Sequence, residues 1–198
     1  MFRELDEIKL SSTAQDAVVL YYPGATAGDI LSRMQKHDKF TSINPAHVNR
    51  VYLLCGSNNV DRVLKVPQNY RNNIIDNNSF FTDSKQLNTT LDDIYELTHF
   101  LHRWAKSASI NLINVLPRES CVRNNIINIM NDFLFRISHQ CKSFNYISTE
   151  FERKLFSRGG YRKHELFSSN GDDNVHLNSS GIVRLGKHLK YLAHSSWF

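Results

Sequence analysis

The sequence predicts an α/β fold: a mainly parallel sheet with helices on both faces, a three-layer sandwich. Three observations predict it. Apolar, β-rich runs recur at 17–23 (AVVLYYP), 50–56 (RVYLLCG), 109–117 (SINLINVLP) and 144–149 (FNYIST). Amphipathic helical patterns fill the intervals. Strands separated by helices need crossover connections, and those give a parallel sheet buried on both sides. With 198 residues, 41% hydrophobic and 22% charged, the chain suits one domain, 1–198, with a sizeable core.

The elements follow in order. FRELDEIKL, 2–10, is a short amphipathic helix with Phe2, Leu5 and Ile8 on one face. The run 17–23 is the first visible strand, closed by Pro23-Gly24. A helix over 25–37 puts Ile30, Leu31 and Met34 together, with Thr26 as its cap and Asp29 three residues on. After the strand 50–56 an Asn-rich polar segment runs to about residue 88. Thr90 with Asp93 resembles a capping box opening a helix through Lys106. Its stripe is Leu91, Ile94, Leu97, Thr98, Leu101 and Trp104. Pro117 stops the strand 109–117. A helix near 120–140 turns Val122, Ile126, Ile129, Met130, Phe133 and Ile137 inward. The last helix, about Ser179 to His194, buries Ile182, Leu185, Leu189 and Leu192.

Composition excludes several classes. The charged first dozen residues are not the apolar centre of a signal peptide, and no apolar run is long enough to cross a membrane. Cys55, Cys121 and Cys141 are odd in number and form no CxxC pair. They predict neither a zinc site nor a disulfide framework, and a reducing, intracellular and cytoplasmic setting. The net charge of +5 permits an anionic partner such as RNA without demanding one.

Parallel sheets place ligands at the carboxyl ends of their strands. The informative residues should therefore follow each strand. Gly24, in PGATAGD, leaves its N–H unshielded by a side chain. Asn58, in CGSNNVD, offers an amide donor at the sheet edge. Asp173 and His176, in GDDNVHLNSSG, stand three apart where the last helix begins. There the carboxylate can reach the imidazole Nδ1–H, fix the tautomer and leave Nε2 as a base. Taken singly these are a turn glycine, a polar loop and a surface pair at a helix cap. Their order on a parallel α/β frame is what points to catalysis.

These motifs resemble the blocks of the SGNH (GDSL-type) hydrolases, a family of esterases, lipases and acetylhydrolases. PGATAGD resembles the second block, GSNN the third and DNVHLN the fifth. Asn59 stands where many members carry aspartate. PGAT and VHLN are also similar to SGNH-like domains of insect genes and retroelements. The resemblance implies the fold predicted above and hydrolysis of small carboxylic esters, acetyl esters included, with no metal and no organic cofactor. It implies His176 as base and then acid, Asp173 as its orienting group, and the Gly24 N–H with the Asn58 amide as oxyanion donors.

The family's first block, a strand ending in Gly-Asp-Ser, has no counterpart here. MFRELDEI resembles the stretch just after that serine, so Met1 is expected to align directly behind the nucleophile. The chain then reads as a truncated enzyme or a pseudo-enzyme, its first strand missing. Ser57 reads as a turn residue and Cys55 as core, not as substitutes. Arg118 reads as a solvated loop arginine, with a ligand's carboxylate or phosphate as the alternative. The second functional class is a non-catalytic module of the Oskar type, which implies RNA binding. RKLFSRGGYRKH would carry it, through Arg153, Lys154, Arg158, Arg162 and Lys163 with Phe156 and Tyr161 interleaved. Arg184, Lys187 and Lys190 add charge on the last helix.

Overall fold

The computed structural model describes residues 24–65, 81–118, 121–147, 163–167 and 177–195, with Val18, Leu20, Tyr22 and Leu155. The chain falls into two compact units, Gly24–Ser148 and Met1–Pro23 with Thr149–Phe198. The expected helix 2–10 lies outside the described residues, as does most of the strand 17–23.

The larger unit is an α/β fold around an open parallel sheet. Strands β1 (Arg50–Leu54), β4 (Ser109–Ile113) and β5 (Phe144–Ile147) lie in the order β1-β4-β5, all parallel. Two short strands, β2 (Leu64–Lys65) and β3 (Phe81–Thr82), pair antiparallel beside them. Successive residues of a strand face opposite sides of its sheet. Along β4, Ile110, Asn111, Leu112 and Ile113 are all buried, so both faces of the central strand are covered. That is the three-layer arrangement. Asn111 is tolerated inside because its amide donates to Val51 O and Ser109 O and accepts from Asn145.

The helices are α1 (Ala27–Met34), α2 (Asp38–Thr41), α3 (Ser57–Val63), α4 (Ser84–Trp104) and α5 (Cys121–Ser138). The expected Thr26 cap is present. Its hydroxyl accepts from Asp29 N while the Asp29 carboxylate accepts from Thr26 N, a reciprocal capping box. The expected Thr90 start of the next helix is corrected. Helix α4 begins two turns earlier, at Ser84, because the Asp83 carboxylate accepts from Lys85 N and Gln86 N. Thr90 is buried inside the helix and accepts a hydrogen bond from Asn59. The segment read as polar from 57 to 88 is corrected too, since it holds α3 and the β2–β3 pair. On α5, Ile126, Ile127, Met130, Leu134 and Ile137 form the buried stripe, and Ile129 is exposed instead. A helix turns 100° per residue, and Ile129 falls a quarter-turn off that stripe.

Asp93 lies against α1, its Oδ2 only 2.7 Å from where a Cβ on Gly28 would sit. Burial pushes its carboxyl above the usual carboxylate range, and the charges of Asp92 and Asp29 add to this. An acid raised in the fold makes the folded state the better proton binder. Its ionisation therefore costs stability as pH rises from about 4 through the raised value. Asp93→Asn is expected to unfold at higher urea than the parent at pH 7. The difference should vanish below about pH 4.

In the smaller unit, helix α6 (Ser179–Ser195) starts where the sequence places it. Asn178 caps it, accepting from Gly181 N at 3.0 Å. The same side chain donates to Glu165 O and Phe167 O. Asn178 N donates to Leu166 O, and Phe167 bridges Leu177 antiparallel. Among the described residues no helix is long and apolar enough to cross a membrane.

Candidate functional site

Strand β1 ends at Leu54 and leads through Cys55 into Gly56, whose φ is 100°. A Cβ there would lie 2.5 Å from Met130 Cε and 3.0 Å from Val115 Cγ2. Both the backbone conformation and the packing call for glycine. The turn launches α3 from the carboxyl edge of the sheet, so Ser57, Asn58 and Asn59 form its first turn.

Gly24 has φ 68°, and among the described residues nothing lies within 4 Å of the position a Cβ would take. Here the backbone alone demands glycine, and the space beside it is open. Asn58, exposed, donates from Nδ2 to Ala25 O at 3.1 Å. Asn59, buried, turns the other way. Its Oδ1 accepts from Ala27 N at 3.1 Å and its Nδ2 donates to Thr90 Oγ1 at 3.3 Å. Two adjacent amides thus stitch α3 to the loop that follows Gly24, some thirty residues away. Arg62 adds an exposed ion pair to Asp29 at 3.3 Å. The Thr26 N–H and hydroxyl bonds hold the Asp29 carboxyl below its ordinary range, and the charges of Arg62 and Arg33 assist them.

Arg118 follows β4 on the same edge, and it is not a solvated loop arginine. Its side chain is only 6% exposed. Nη1 lies 2.6 Å from Asp61 Oδ2, and Nη2 donates to Ser57 O at 2.7 Å and Ser57 Oγ at 3.2 Å. Arg123 Nε reaches the other Asp61 oxygen at 2.8 Å. Burial pushes the Asp61 carboxyl up, but the Arg123 and Arg118 hydrogen bonds and charges outweigh it. The carboxyl ends below its usual range. Two asparagines on α5 set this loop. Asn124 accepts from Arg118 N and donates to Arg118 O, and Asn131 does the same for Val115. Spaced seven apart they share one helix face and act as a neighbouring strand would. Asp61, Asn124 and Asn131 were missed from sequence, and Asn59 was noted there only as a variant position. The i, i+7 asparagine pair behind Pro117-Arg118 was the available signal.

Cys55 is buried, and burial pushes its thiol up to about 12, which leaves no thiolate for nucleophilic attack. Ser57, read as a turn residue, opens helix α3 instead, and its carbonyl and hydroxyl accept from Arg118. Asp173 and His176 lie outside the described residues. So do Arg153, Lys154, Arg158 and Arg162 of the basic segment. Lys163 is described, its N–H donating to Leu155 O. On α6, the side chains of Arg184, Lys187 and Tyr191 are exposed and line an open groove of about 670 Å³ with Glu165 and Leu166. Among the described residues no three of His, Cys, Asp or Glu gather as metal ligands.

No family model matches the sequence, and no curated protein matches it. Among solved structures the chain is similar to a Streptococcus pneumonia protein provisionally described as a platelet activating factor. The TM-score is 0.66 at 18% identity, over 98% of this chain and 77% of that one. The likeness is one of fold.

Proposed function

We propose that the chain is an SGNH-type hydrolase-like domain acting on small carboxylic esters, acetyl esters among them. The observation that carries this reading is the meeting of the Asn58 amide with the loop that begins at Gly24. An amide nitrogen carries two hydrogens, and Ala25 O takes one of them. The other, with the Gly24 N–H, is the oxyanion pair that the sequence resemblance implies. His176 is the base and Asp173 its orienting group. The attacking group is a serine hydroxyl or a water activated by the imidazole. The fold likeness to the streptococcal protein agrees with this reading.

The test is turnover of p-nitrophenyl acetate, by the chain itself and by the chain extended with a strand ending in Gly-Asp-Ser. Asn58→Ala removes one exposed amide with one hydrogen bond, so the fold should survive. The expected loss is about 10²–10³ in kcat, with KM nearly constant, because the oxyanion exists only at the transition state. An unchanged kcat rejects the assignment. The exposed Arg184, Lys187 and Tyr191 on α6 favour one other reading, RNA binding. Salt-sensitive RNA binding without any turnover would select it.

A further inference from the structure

We propose that Arg118 is a positioning residue for Asn58. The inference rests on the reading of Asn58 as an oxyanion donor. A guanidinium drawn this far out of water costs several kcal/mol unless its hydrogen bonds are well made. Arg118 spends its two terminal nitrogens on one element, while its buried Nε has no partner among the described residues. Nη2 takes Ser57 O and Oγ, and Nη1 takes Asp61 Oδ2. Residues 57 and 61 are one turn apart on α3, on either side of Asn58. The planar fork thus grips the helix at two points around the residue that matters. Helix α3 has no side-chain cap of its own, because Gly56 occupies that position. The Arg118 guanidinium holds Ser57 O from across the sheet edge.

The gripping side chain is itself fixed. Both backbone groups of Arg118 are bound by Asn124, and both of Val115 by Asn131. Rigidity passes from α5 to the 115–118 loop, through the guanidinium to Ser57, and so to the amide one residue on. A misplacement of about 1 Å in such a donor costs on the order of 10² in rate. Lysine cannot replace the fork, since a point charge can hold Asp61 or Ser57 O but not both in one plane.

Arg123 is the internal control. It pairs with the same Asp61 carboxylate from the other oxygen. Three variants are compared: Arg118→Met, Arg118→Lys and Arg123→Met. Two readouts are taken, p-nitrophenyl acetate kinetics and hydrogen–deuterium exchange of segment 56–61. Both Arg118 variants should lose about tenfold to a hundredfold in kcat, with KM within about threefold. Exchange over 56–61 should quicken about tenfold or more in both, and in Arg123→Met neither quantity should change. Equal effects of Arg118→Lys and Arg123→Met overturn the inference, as does an Arg118→Lys protein with the parent's kcat. Should Arg118→Met not fold, the lysine variant decides alone. Absence of turnover in both the chain and its Gly-Asp-Ser-extended form rejects the hydrolase reading. Exchange over 56–61 then decides whether Arg118 holds the turn.

Discussion

Gly181→Ala is expected to destabilise the protein by about 3 kcal/mol, lowering its melting temperature by about 10 °C. Glycine inside a helix is normally a weakness, and alanine there gains about 1 kcal/mol. Position 181 reverses that preference. A Cβ would sit 2.1 Å from Leu166 O and 2.9 Å from Leu177 Cδ2. The first neighbour is backbone and cannot rotate away. Leu166 O also accepts the Asn178 N–H at 3.0 Å, so pushing it aside breaks the tie that starts α6. Asn178 would then lose the geometry of its bonds to Glu165 O and Phe167 O. Thermal or urea unfolding measures the effect. A Gly181→Ala protein as stable as the parent would mean that residues 165–167 shift without cost.

His176→Ala is expected to lower ester turnover by about three orders of magnitude or more. The imidazole is the one group in the proposed site able to take a proton from the attacking hydroxyl and return it to the leaving alcohol. Without it Asn58 and Gly24 can still polarise the carbonyl, which leaves a small residual rate. Asp173→Ala should cost less than His176→Ala, because a misoriented base still works part of the time. Combining the two should add little, since the pair acts as a unit. Steady-state kinetics with an acetyl ester decides, with the melting temperature as the control for folding. Turnover that survives His176→Ala unchanged removes the pair from the mechanism.

Most of the frame was legible in the sequence. Ser109–Ile113 is strand because its apolar run is bounded by turn residues and long enough to cross a sheet. Ala27–Met34 is helix because Thr26 and Asp29 cap each other. Local signals failed where two of them competed. Thr90 and Asp93 have the spacing of a cap, yet Asp83 caps first and the helix runs through them. Ile129 fits an apolar pattern loosely, and packing placed Ile127 and Leu134 in the core instead. In the candidate site, Gly24 and Asn58 were readable as motif residues. Arg118 was not, because an arginine after a proline looks like surface until its partners are known.

Residues close in the chain determined what could be read directly: strand runs, helix faces, caps, and the glycines whose backbone angles no other residue tolerates. Contacts between distant residues were decided only by the tertiary structure. Ala25 and Asn58 are thirty-three positions apart, and Ser57 and Arg118 sixty-one. Hydrogen-bond partners at such separations follow from strand order and helix packing, and a linear pattern contains neither. The sequence thus supplied the groups able to do chemistry, while the fold determined which of them face each other and which are held still.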